Sequence, residues 1–285
     1  MQIKHLKNLL IIMVSTLFIW ACSSTRHQIS RPVSGKQTVL MDSILQEGLD
    51  GEALYTLLGN IKPMSSVVSF TFPLGNADSA KQLDGDIVYA DSLKVYQKRL
   101  EEIQQAINHI NIPDIKLVMV PYRSPYRKTR VLQVNAIRIS ALDSLLKARA
   151  PFFAQFGLVP GADPAVVLTV NEYENRYERL RGYGYLFGYP DYAVDFFVKA
   201  FHQSDTSGKH VERNFFNIPT YRRAGGQFVY AYPKTITQPS AIDSALYKRS
   251  TVVLEKYKEK RNHYLNSDST LRAYELILDY LHQKR

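Results

Sequence analysis

The pattern of apolar and polar positions predicts a succession of amphipathic helices interrupted by short pairs of strands. Residues 91–110 place Leu93, Tyr96, Leu100, Ile103, Ile107 and Ile110 at three- and four-residue steps, which draws one apolar stripe along a helix. Upstream, Leu45, Leu49, Ala53 and Leu57 recur four apart, but Gly48, Asp50 and Gly51 interrupt them. Residues 39–59 therefore read as two short helices meeting at a turn. Alternation takes over at Val68, Phe70 and Phe72, separated by Ser69 and Thr71, and marks a strand. Residues 115–122 are apolar and β-branched enough for a core strand, whose ladder Pro121 should end because it has no amide hydrogen. Residues 130–137 alternate again and supply its partner.

Further along, a helix is expected over 141–156, with Leu142, Leu145, Leu146 and Phe153 inward, Ser140 as its cap and Pro151 as a kink or break. The turn at 160–164 opens another helix, with Asp163 as cap and Pro164 in the first turn, where a missing donor costs nothing. That helix is expected from Ala165 to Leu180 or beyond, and the next over 191–201. Residues 211–219 and 226–233 read as a second strand pair, and helices over 241–265 and 270–282 close the chain. Strands that come in adjacent pairs, rather than alternating with helices, predict a helix-rich α+β domain with short antiparallel strand pairs over 39–285. A boundary between lobes, if the chain has one, falls near 157–163.

The first residues follow a different logic. Lys4 and Lys7 precede an almost wholly apolar stretch, 9–20, which ends at Ala21-Cys22. Twelve helical residues cover ~18 Å, short of the ~30 Å hydrocarbon core, so a signal peptide fits better than a spanning anchor. The run Ile19-Trp20-Ala21-Cys22 resembles the lipobox of bacterial lipoproteins, in which the chain is cut before a cysteine that receives diacylglycerol. The resemblance implies a signal peptide over 1–21, a lipidated Cys22 and a place on the cell envelope, with the outer membrane preferred over the inner. The other reading is an uncleaved anchor helix with a buried thiol. Residues 22–38 lack apolar periodicity, are rich in small and polar residues, and read as a flexible tether.

Composition narrows the partners. Cys22 is the only cysteine, which forbids an internal disulfide. The formal charge of +10 is spread along the chain rather than gathered in a stripe, which argues against nucleic acid and leaves lipid headgroups or anionic glycans open. Nineteen tyrosines suit either a groove for sugars, peptides or proteins, or the closing of helix contacts.

Two tracts stand out. The first, 172–195, holds Glu172, Arg176, Arg179, Tyr183, Tyr185, Tyr189 and Asp191, with three glycines among its aromatics; it reads as a cleft wall or as a tight corner between helices. The second, 215–233, sets Arg222 and Arg223 in a hairpin loop, where two guanidinium forks suit a carboxylate or phosphate. No nucleotide-binding glycine motif, zinc-binding spacing or GxSxG elbow occurs, so no cofactor or metal is expected. Paired carboxylates, Glu52 with Asp84 or Asp86 and Glu172 with Asp191, keep a glycan or peptide hydrolase open, as does a dispersed Ser/His/Asp set. The reading preferred is an envelope lipoprotein that binds a partner protein, peptide or glycan through an aromatic- and arginine-lined surface.

Mass spectrometry of the native protein tests the anchor. The expected product begins at Cys22 and carries acyl chains; an intact Met1 or an unmodified Cys22 thiol would refute it.

Overall fold

The structure, a computed structural model, describes residues 35–75, 87–88, 90–123 and 129–282. Cys22, the stretch before it and tether residues 22–34 lie outside the described residues, as do Asp84 and Asp86. The fold is α+β and helix-rich, with antiparallel strand pairs, as the periodicities predict.

Helix α1 (Gly35–Asp50) starts four residues before the expected Val39 and is followed by the single turn α2 (Leu54–Leu57). Strands β1 (Met64–Gly75), β2 (Ile87–Val88), β3 (Ile115–Tyr122) and β4 (Thr129–Arg138) form a sheet in the order β2-β1-β4-β3, with helix α3 (Ala90–His109) between β2 and β3 in sequence. β4 pairs antiparallel with both β1 and β3, and β2 adds a short parallel contact at the end of β1. Then follow α4 (Ile139–Ala148), α5 (Ala150–Phe153), α6 (Pro164–Tyr173), α7 (Arg176–Leu186) and α8 (Asp191–Ser207). A separate hairpin, β5 (Arg213–Ile218) and β6 (Phe228–Pro233), precedes α9 (Ala241–Arg261) and α10 (Ala273–His282).

Strand alternation sends apolar side chains to both faces of the four-stranded sheet. Ile115, Leu117, Val134 and Ala136 join one core with α1, α2, α3, α9 and α10. Met64, Val118, Val120 and Ile137 join the other with Leu142, Leu146, Phe153, Val167, Leu168 and Leu186 of the segment from α4 to α7. Each large apolar side chain withdrawn from water contributes roughly 1.5–3 kcal/mol. The first core also joins the two ends of the described chain: Met41, Ile44 and Leu45 of α1 lie in it with Leu276, Ile277 and Tyr280 of α10. Beside them the Tyr274 amide donates to Asp42 (2.8 Å) and the Leu271 amide to Gln46 (3.1 Å).

Three expectations need correction. Pro121 does not end β3, which runs to Tyr122; β3 is an edge strand, where a missing donor is tolerated. The break expected at Pro151 is present: the helix over 141–156 divides at Arg149, and Pro151 sits in the first turn of α5. Ser140 does not cap by its own reach; its amide (2.8 Å) and hydroxyl (2.6 Å) both donate to Asp114 from the loop after α3. The long helix from Ala165 is two helices, because Glu174 (ψ 169°) and Asn175 (ψ 153°) are extended. By contrast Asp163 caps α6 as expected, accepting from the Ala165 amide at 2.8 Å.

Two glycines of the first tract, Gly182 and Gly184, lie within α7, and Gly188 lies between α7 and α8. A Cβ on Gly184 would come 2.7 Å from Val194 of α8, so the absent side chain is what lets α7 and α8 approach. Gly188 closes α7 at φ +72°, a conformation that side chains disfavour, and its backbone crosses over Lys62 and Pro63.

A buried ion pair ties the last residue of α1 to the last of α9. Arg261 donates through Nε (3.0 Å) and Nη2 (3.1 Å) to the two oxygens of Asp50, and the Tyr257 hydroxyl adds a third bond at 2.6 Å. The guanidinium also packs 4.4 Å from the Tyr221 ring centre. Removing one partner of such a pair strands the other charge away from water. Asp50→Ala is therefore expected to cost about 3–5 kcal/mol in urea unfolding, and Asp50→Leu with Arg261→Met together to cost less than Asp50→Ala alone. Equal losses in the two variants would show that the stranded charge is not the cause.

Candidate functional site

Helices α7 and α8 and the β5–β6 hairpin enclose a cavity of about 280 Å³. Tyr183, Phe187, Tyr189 and Phe197 line it from the helical side, and Phe215, Val229, Tyr230 and Ala231 from the hairpin. Tyr122, from the end of β3, and Arg179 provide its polar margin. Phe215 is 56% exposed, so the cavity is reached from the surface. Rings pack on rings around the wall: Tyr183 stacks on Phe187 at 5.6 Å between centres, and Tyr189 lies 5.9 Å from Phe228 and 5.6 Å from Tyr230.

Two buried carboxylates hold this wall in place. Glu172, fully buried at the end of α6, accepts from the Tyr183 hydroxyl (2.6 Å) and from the Arg123 amide (2.6 Å). Burial and the Glu172 carboxylate push the Tyr183 hydroxyl pKa well up, so it stays a donor. Arg179 Nε stands 3.4 Å from Glu172 without making a formed hydrogen bond, while Nη2 donates to the Tyr122 hydroxyl at 3.3 Å. On the other side, Asp243 accepts from Tyr230 (2.5 Å) and from Tyr192 (2.7 Å to the same oxygen). It also completes the capping box with Ser240 that starts α9. One carboxylate therefore joins β6, α8 and α9.

A second buried charge pair lies behind the cavity. The Lys62 side chain is wholly buried, donates to Glu52 at 2.7 Å, and packs 4.3 Å from the Phe228 ring centre and 5.1 Å from that of Phe187. Burial pulls its pKa down and Glu52 opposes that pull. Phe187 serves both places, since it also lines the cavity.

Of the residues singled out in the sequence, Glu172, Arg179, Tyr183 and Tyr189 come together at or behind this wall. The others do not. Tyr185, two positions from Tyr183, falls on roughly the opposite side of α7 and packs on Phe152 (5.5 Å) and under Arg149 (5.3 Å). Asp191 pairs with Arg149, and Arg176 with Asp205 at 3.2 Å. Arg222 clips the hairpin loop to α1 through Glu47 (2.7 Å), and Arg223 is exposed in the same loop. The expected forked grip of Arg222 and Arg223 is thus not built at the cavity. The second tract contributes instead through Phe215, Val229, Tyr230 and Ala231, which alternation along two strands aims at one face. Lys62 and Tyr122 carried no pattern that distinguished them.

Catalytic groups are not gathered at the cavity. Its lining includes no carboxylate and no histidine. Glu172 and Asp191 are bound to different partners, and Glu52 faces Lys62. Among the described residues no histidine hydrogen-bonds a serine or a carboxylate, and no three His, Cys, Asp or Glu side chains are placed to hold a metal ion.

The Asp243 hub has a pH signature. Burial raises its pKa, but the bonds from Tyr230, Tyr192 and Ser240 together outweigh burial and hold it below the ordinary 3.8. Below pH 3.8 the unfolded chain therefore takes up a proton that the folded chain resists, so this contribution is present above that pH and is lost as pH falls through the folded value. Asp243→Asn is expected to cost about 1.5–3 kcal/mol at neutral pH, from weakened hydrogen bonds to charge. The gap from wild type should shrink in unfolding curves taken below pH 3.8. A gap independent of pH would rule out the ionised hub.

Comparison of the chain with protein-family models, with curated proteins and with solved structures gives no match.

Proposed function

We propose that this chain is an envelope-anchored lipoprotein, held by an acylated Cys22, that binds its ligand without transforming it in the cavity between α7, α8 and the β5–β6 hairpin. One observation carries the choice between binding and hydrolysis: the cavity is walled by aromatic rings and has no acid–base pair in its lining. Hydrolysis of a glycan or peptide needs a proton donor and a base or nucleophile at reacting distance. A concave apolar wall with one guanidinium at its margin is instead the composition of a recognition site. The lipobox-like run before Cys22 supports the anchor. Among the described residues no helix is long and apolar enough to cross a membrane, which leaves anchoring to the first residues.

The cavity refines the surface on which recognition rests. The arginine pair of the hairpin loop stands apart from it, and the aromatic part of the expected surface is the concave wall of the cavity.

Titration with the neutral naphthalene dye prodan tests the reading. Saturable binding at one site is expected, weakened at least tenfold in Val229→Trp, whose indole fills the cavity from β6, with unchanged circular dichroism. Unsaturable fluorescence, or equal affinity in both proteins, would remove the cavity as the site. Release of soluble products from peptidoglycan, glycan or peptide by the purified protein would favour the hydrolase.

A further inference from the structure

Two of the cavity tyrosines, Tyr183 and Tyr230, turn their rings inward and spend their hydroxyls elsewhere. Tyr183 gives its proton to Glu172 and Tyr230 gives its own to Asp243, so neither hydroxyl is left to read a polar ligand. A sugar would meet ring faces over most of its surface and leave many of its hydroxyls without partners, which is costly. The wall therefore selects hydrocarbon.

One end of the cavity differs. A guanidinium carries five N–H donors, and among the described residues Arg179 has one engaged, from Nη2 to Tyr122. Its Nε is buried without a hydrogen-bond acceptor. Glu172 forms an ion pair with Arg179 at 3.4 Å from Nε, but its oxygens accept from Tyr183 and the Arg123 amide and take no hydrogen bond from the guanidinium. The Arg179 side chain is 22% exposed and lines the cavity, so terminal N–H groups of the guanidinium stay open to an acceptor at the cavity margin. The Tyr122 hydroxyl accepts from Arg179 and keeps its own proton to donate.

The charge of that end sets the sign of the ligand. A cation would have attractive rings around it, but it would also lie beside a guanidinium, so the aromatic cage does not select ammonium groups. A dianion would face the Glu172 carboxylate directly behind the same guanidinium. A single negative charge fits both limits. The volume sets the size: a cavity of roughly 150 Å³ accepts a benzene, so 280 Å³ suits a two-ring system or a chain of about eight to ten carbons.

Resting on the binding function proposed above, we infer that the cavity takes a single-headed amphiphile, hydrocarbon inward among Tyr183, Phe187, Tyr189 and Tyr230, with its carboxylate on Arg179 and Tyr122. Two sources share this chemistry: a free alkyl or aryl acid, and the free C-terminus of a peptide ending in a large apolar residue.

Displacement of bound prodan from the full folded chain tests it. Decanoate should displace the dye at least tenfold more effectively than methyl decanoate, which has the same chain and no charge, and than decyltrimethylammonium. Arg179→Gln should abolish that preference while leaving methyl decanoate unchanged. N-acetyl-Leu-Phe, compared with its C-terminal amide, separates the sources: stronger displacement by the peptide acid than by decanoate assigns a peptide terminus, and the reverse assigns a free acid. Equal displacement by decanoate and its ester overturns the head-group assignment while prodan binding still upholds the cavity, and this comparison needs no variant to fold. Stronger displacement by decyltrimethylammonium also overturns it. Failure of prodan itself to bind wild type would remove cavity and ligand class together.

Discussion

A carboxylate taken out of water must be given donors, and the way this chain supplies them shapes everything around the cavity. Among the described residues three acids are buried, and each takes a tyrosine hydroxyl: Asp50 from Tyr257, Glu172 from Tyr183, and Asp243 from Tyr230 and Tyr192. A tyrosine is a rigid rod from Cβ to its oxygen, so fixing the hydroxyl fixes the ring. The acids are thus the pegs and the rings the panels. Because each acid also belongs to a helix end, helix packing and ring orientation are set by the same contacts.

This arrangement explains the high tyrosine content in a way that unites the two readings that composition left open. The tyrosines do close contacts between elements, through their hydroxyls. In doing so they present flat apolar faces to a shared space. Polar recognition is then confined to the one place where the rings give way, at Arg179 and Tyr122.

Much of the fold was legible because it depends on local periodicity. The stripe of α3, the alternation in β3 and β4 and the cap at Asp163 each express a rule that acts within a few residues. Errors arose where a distant segment intervened. Asp114 took over the cap expected of Ser140, and the extended Glu174 and Asn175 split a helix whose residues alone favoured continuity. The candidate site was legible as two tracts but not as a set of residues. Periodicity could separate Tyr183 from Tyr185 only once the helix containing them was known to begin at Arg176 rather than to end near Leu180. Arg222 had the chemistry of a ligand clamp, yet Glu47, 175 positions earlier, already occupied it. Lys62 gave no signal, since a lysine in a short loop is ordinarily solvated, and only the rings of Phe187 and Phe228, with the Glu52 carboxylate, make it unusual.

The seam between α1 and α10 carries a consequence for how the molecule is made. A ribosome delivers Met41, Ile44 and Leu45 more than 200 residues before Leu276, Ile277 and Tyr280, yet these side chains share one core. Helix α1 packs early on β1 and α3, but its contact with α10 closes a loop of more than 200 residues and waits for that segment. Until then the apolar faces that α1 and α10 bury against each other stay open to water, and the seam is the last part of this core to close.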